Sequence, residues 1–116
     1  MSIVQSPVSD MLVTVKSREI QRGMLAEMRG DQTAKARHFL AASHLELVLA
    51  DDYAQAGQHD LAVRSRLSAA SCLWRAGQAR EAREMLEALA ADEPARAAEV
   101  RAVISELEQG DPSPRG

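Results

Sequence analysis

Apolar residues recur at intervals of three and four along most of this chain, the spacing that gathers them on one side of an α-helix, and they do so in five runs. In the first, Val13, Ile20, Met24 and Met28 share a face that Ser17 completes. The third aligns Val63, Leu67, Ala70 and Trp74. The fourth aligns Ala82, Met85, Leu86 and Leu89, and the fifth Ala97, Val100, Ile104 and Leu107 at heptad spacing. The second run is different. Ala36, Phe39, Leu40, Ser43, Leu47 and Ala54 form one apolar face, Leu45 and Leu49 sit well round the cylinder, and only Arg37, His44, Asp51 and Gln55 make a continuous polar stripe. A helix apolar round most of its circumference is contacted on several sides. The second helix is therefore expected at the centre, with Phe39 and Leu47 buried.

Glycine and proline separate the runs. Gly30, Gly57 and Gly77 each stand where a helix C-terminus needs a left-handed residue. Pro7 precedes the first run, with Ser9 or Asp10 as N-cap. Asp92 is read as the cap of the last helix, with Pro94 in its first turn. The predicted helices are 10–29, 32–56, 59–76, 79–91 and 94–109, joined by linkers short enough to make neighbours antiparallel. An extended segment over 1–8 precedes a single helical domain over 9–109, and 110–116 reads as a disordered tail.

Composition sharpens this all-α reading. Of the 116 residues 46% are hydrophobic but only 3% aromatic (Phe39, Tyr53, Trp74), so the core must be built from Ala, Leu, Val and Met. The net charge of −3 and a pI near 5.6 argue against a nucleic-acid surface, which needs a basic excess. Only Lys16 and Lys35 are lysines; the arginine bias fits high-GC, bacterial coding. A single Cys72 permits no disulfide within the chain, which suits a reducing cytoplasm. No apolar run is long enough to span a membrane, and Met1 to Val15 lacks the basic start and continuous apolar stretch of a signal peptide.

Chemistry-bearing patterns are sparse. There is no Gly-rich phosphate loop, nucleophile elbow or paired-cysteine motif, so no catalytic residue and no cofactor is expected. His38, His44 and His59 lie near carboxylates, but none is spaced for joint ligation of one ion, so no metal site is expected. Two rival readings remain open. One is a helix-turn-helix DNA-binding regulator over 50–76, with Arg64, Arg66 and Arg75 on phosphates. The other is a small helical-bundle enzyme or metal-binding protein. The mixed-sign rows Arg80, Glu81, Arg83, Glu84, Glu87 and Arg96, Glu99, Arg101 read as solvated helix faces.

A repeat emerges at the turns: Ala56-Gly57-Gln58 recurs as Ala76-Gly77-Gln78, with Ala62 and Ala82 each following at the same offset. The stretch 63–96 resembles the tetratricopeptide repeat, a helical hairpin of about 34 residues. It carries Ala70 and Leu73 at the small and large positions, Gly77 at the turn, then Ala82, Leu86 and the closing Pro94. Arg66 stands where a large aromatic usually opens the pattern, and Leu89 replaces a small residue. A weaker copy runs from about residue 16 to 49, with Gly23, Ala26, Gly30, Ala36, Leu40 and Ser43. The resemblance implies two hairpins and a C-terminal capping helix. It also implies a non-catalytic adaptor or scaffold whose first helix in each hairpin faces a protein or peptide. Those partner-facing positions would be Ser17, Ile20, Met24 and Glu27, then Arg64, Leu67, Ser71 and Trp74, with Arg75 beside them. The first helix also carries more apolar surface than one neighbour covers, so a homodimer through it is expected.

Overall fold

The computed structural model describes residues 7–110, so residues 1–6 of the segment expected to be extended over 1–8 and residues 111–116 of the tail expected over 110–116 lie outside it, while Pro7 and Val8 belong to the first helix and Gly110 to the last. Five α-helices account for nearly all the described residues, with no strand among them: α1 (Pro7–Met28), α2 (Gln32–Gln55), α3 (His59–Arg75), α4 (Ala79–Asp92) and α5 (Ala97–Gly110). A 3-10 turn, Pro94–Arg96, leads into α5. The all-α expectation holds.

Three linkers share one construction. Gly30, Gly57 and Gly77 have φ of 76°, 78° and 93°. The amide after each glycine reaches back five residues, Asp31 to Ala26 (2.9 Å), Gln58 to Tyr53 (2.8 Å) and Gln78 to Leu73 (3.1 Å), while each glycine amide donates to a carbonyl three residues back. This is the Schellman arrangement, which satisfies the last carbonyls of a helix at a left-handed residue. The residue after the glycine then starts the next helix: the carbonyls of Asp31, Gln58 and Gln78 accept from Lys35, Ala62 and Ala82. One residue thus closes one helix and opens the next, and the chain reverses in three residues.

Two ends differ from expectation. α1 begins at Pro7, so Ser9 and Asp10 lie inside its first turn, because proline's fixed φ suits a helix start. Buried Ser9 instead donates its hydroxyl to Asp52 (2.6 Å), joining the start of α1 to the end of α2. Asp92 is the last residue of α4, and Glu93 takes the capping position before Pro94 without a side-chain hydrogen bond.

Each helix packs on its chain neighbours, and α5 also reaches α3. The result is a flat array of 54 × 31 × 16 Å, whose radius of gyration of 14.8 Å exceeds the roughly 13 Å of a rounder domain this size. α2 lies between α1 and α3, as its apolar girth implied. Its buried line is Phe39, Ala42, Ser43, Glu46, Leu49 and Ala50. Phe39 is enclosed as expected, whereas Leu47 is only half-buried and Ala54 is exposed; Leu49 takes the enclosed place. Small residues on both helices bring α2 close to α3, close enough for the Ser43 hydroxyl to donate to the Ala69 carbonyl at 2.8 Å. The other half of the core joins Val63, Leu67 and Ala70 of α3, Leu86 and Leu89 of α4, and Val100 and Ile104 of α5.

Candidate functional site

Ile20, Met24 and Glu27 follow one another by four and three residues, so they share a face of α1. Gly23 lets that helix lie directly on the Phe39 ring: a Cβ there would sit 2.7 Å from the nearest ring carbon. Ile20 consequently packs against the cluster of Phe39, Ala42, Cys72 and Ala76. One turn on, Glu27 accepts from Arg75 at 2.9 Å and pairs with Lys35 at 3.5 Å. The Arg75 guanidinium also lies over the Phe39 ring, 4.4 Å from its centroid. Burial pushes the Glu27 carboxyl up, but the Arg75 hydrogen bond and the charges of Lys35 and Arg75 together hold it below its ordinary value.

Trp74 is 8% exposed, packed with Leu73 and Ala82 against Leu40, Met85 and Leu107. The Arg83 guanidinium lies 5.5 Å from the Trp74 ring centroid and pairs with Glu108 of α5. The indole Nε1–H is enclosed without an acceptor among the described residues. Glu27, Trp74 and Arg75, three of the nine expected partner-facing residues, line one depression of about 220 Å³ with Lys35, Glu106, Leu107 and Gly110. The remaining six scatter. Leu67 belongs to the core shared with α4 and α5 and is turned away from that depression. Arg64 is exposed about 16 Å along α3 from Arg75. Ser71 and Ile20 are half-buried, Met24 stands half in solvent, and Ser17 is exposed.

The chemistry of this cluster is that of a clamp. Its carboxylate is already balanced by two cations. The nearby Cys72 thiol is pushed up to about 11 by burial and by the charge of Glu46, so it is protonated at neutral pH. The histidines are dispersed. His38 pairs with Glu19 at 2.7 Å, His59 pairs with Glu93 at 2.9 Å, and His44 is exposed. Among the described residues no three of His, Cys, Asp and Glu converge as metal ligands do.

The sequence reading missed one ionic feature. Glu46, 3% exposed, pairs with Lys16 at 3.3 Å between α2 and α1. The available signal was that Glu46 lies off the polar stripe of α2, and that lysine is rare in this chain.

The outward side of α1 is the other notable surface. Ile20 and Met28 were read as one row, but eight residues advance a helix by about 80° beyond two full turns. Ile20 therefore packs inward while Met28 is 81% exposed. Among the described residues six large hydrophobics are exposed, and five of them are on α1: Val8, Met11, Met24, Leu25 and Met28. The sixth is Val48 of α2. Beside this face lies an open trough of about 500 Å³ whose walls include Val15 of α1 and Ala41 and Leu45 of α2.

α3, which a helix-turn-helix would place in a DNA groove, has nine of its seventeen residues buried and packs on α2, α4 and α5. Among the described residues no helix is long and apolar enough to cross a membrane. Comparison with known protein families, with curated proteins and with solved structures gives no match.

Proposed function

We propose that this protein is a non-catalytic protein–protein interaction module of tetratricopeptide-like hairpins, and that its binding face is the outward side of α1 with the adjoining trough on α2. The observation that carries this reading is the concentration of exposed large hydrophobics on one terminal helix. Apolar side chains left in water along one helix are what a covering protein surface removes. Methionine, three of those five residues, adapts to irregular partner surfaces at little strain. The three identical turns and the neighbour-to-neighbour packing support the repeat-like part of the proposal. On this reading the Glu27–Arg75–Phe39 clamp holds the binding helix in place. The unpaired Cys72 suits a reducing, cytoplasmic setting.

The test is photo-crosslinking in the cell from a benzoylphenylalanine placed at position 28 of the full chain. A covalent adduct with another polypeptide is expected, whereas the same group at exposed Arg80, away from this face, should give none. Equal yields from the two positions would defeat the proposal. A Met28→Glu variant should retain its stability to within about 0.5 kcal/mol, as surface substitutions do.

A further inference from the structure

Every helix except α1 places large apolar side chains in the buried core. Phe39 of α2, Trp74 of α3, Leu86 of α4 and Val100 of α5 are each enclosed. From α1 the only buried hydrophobic among the described residues is Ala26, and its Leu12, Val13, Val15 and Ile20 are half-buried. Polar ties stand where the large core residues would be. Ser9 donates to Asp52 (2.6 Å), Lys16 pairs with Glu46 (3.3 Å), Glu19 with His38 (2.7 Å), and Glu27 with Arg75 (2.9 Å) and Lys35 (3.5 Å). These ties run the length of the helix.

Ion pairs of this kind fix position but add little net stability, because desolvation and side-chain ordering offset most of the attraction. Local stability follows buried apolar contact, and segments poor in it open before the rest of a fold does. From this contrast we infer that α1 is a releasable strap: it opens from α2 as one unit while α2 to α5 stay folded. Release of α1 in this way is independent of what covers its outward side. α5, at the opposite edge of the array, is held differently. It packs on both α3 and α4 and buries Val100 and Ile104.

α2 does not need α1 in order to stand. Its N-terminus is capped by Asp31, which lies beyond α1 and accepts from the Ala34 amide at 3.0 Å. On its other side Ser43 donates to the Ala69 carbonyl of α3. Lys35, Ala42, Glu46 and Leu49 are seven, four and three residues apart and so form one stripe of α2. Lys35 and Glu46 are contacts with α1, so buried Ala42 and Leu49 lie beneath it. The Phe39 ring does too, since Gly23 rests on it. Opening of α1 puts this apolar stripe in water, and the ionic ties set how often that happens.

Native-state hydrogen exchange of the full chain, followed amide by amide by NMR, tests the release of α1. In the wild type, amides from Thr14 to Ala26 should exchange at least about tenfold faster than the slowest amides of α3. Ile104→Val trims a contact that lies wholly within the core of α3, α4 and α5. It should speed the slowest α3 amides about fivefold and leave α1 exchange unchanged, because α1 opens before that core does. Glu46→Gln weakens the closed state itself and should speed α1 exchange at least about fivefold. Equal protection of α1 and α3 in the wild type would make the fold one cooperative unit and overturn the proposal. An Ile104→Val effect of the same size in both helices would do the same. α1 exchange unmoved by Glu46→Gln would show that the ionic ties do not hold the strap, and would overturn it as well.

Discussion

Gly23→Ala sets two known effects of opposite sign against each other at a point where the structure decides the winner. In an isolated helix interior, alanine is favoured over glycine by about 1 kcal/mol. Here the added Cβ would lie 2.7 and 2.8 Å from two carbons of the Phe39 ring, about 1 Å inside ordinary carbon–carbon contact. The ring has nowhere to go. It is 0% exposed, packed with Ala42, Cys72 and Ala76, and covered by the Arg75 guanidinium that Glu27 holds. Relief requires α1 to lift, which strains the Glu27–Arg75 bond and loosens Ile20. Overpacking of this kind costs about 1–3 kcal/mol. Contacts of 2.7 and 2.8 Å against an enclosed ring put the cost in the upper half of that range, about 2–3 kcal/mol, and subtracting the propensity gain leaves a net loss of about 1–2 kcal/mol, or about 5–10 °C in melting temperature.

Thermal and urea unfolding followed by circular dichroism would measure it, and a cycle with Phe39→Leu isolates the cause. The smaller side chain leaves room for the alanine methyl, so the two substitutions should be less damaging together than their sum, by at least about 1 kcal/mol. A Gly23→Ala protein as stable as the wild type, or strictly additive effects in the cycle, would refute the close-approach argument.

Three other outcomes follow from particular residues. Gly77→Val should destabilise by about 1–2 kcal/mol and Gly77→Asn by less, because a Cβ there meets no neighbour and the cost is that of positive φ alone; equal, negligible effects would contradict the turn geometry. At pH 8 a thiol with a pKa of about 11 is about 0.1% thiolate, so Cys72 should resist a disulfide reagent in the native protein and react on unfolding in urea; complete native labelling within minutes would contradict its burial. The Glu19 carboxyl is held below its ordinary value chiefly by the His38 hydrogen bond, against burial and with help from Arg22. Its folded pKa is depressed, so its contribution is full above the unfolded value of about 4.3 and is lost as pH falls through the folded one. The stability gap between wild type and Glu19→Gln should therefore shrink from pH 6 to pH 3, and a gap that stays constant would show that the His38–Glu19 pair carries no net stability.

The sequence alone carried whatever depends on neighbours along the chain. Helix positions followed from the three- and four-residue spacing. The left-handed glycines followed from a motif that involves only a few consecutive residues, and their positive φ at Gly30, Gly57 and Gly77 matches that reading. The central place of α2 was also legible, because a helix apolar nearly all round has few places to go. Contacts between distant residues were not legible in this way. Nothing local indicates that Ser9 will meet Asp52, that Lys16 will neutralise Glu46, or that Gly23 must be small because Phe39 lies against it.

The candidate site divides along the same line. Helical spacing could nominate Ile20, Met24 and Met28 as one row, and Leu67 with Trp74 as another, but it could not say which stripe a neighbouring helix covers. α5 returns over α3 and encloses Leu67, and the turns of α1 carry Met28 from the side of Ile20 round to solvent. Periodicity reports that a face is apolar. Whether that face becomes core or interface depends on which helix lies against it, and that is settled by packing between segments far apart in the chain.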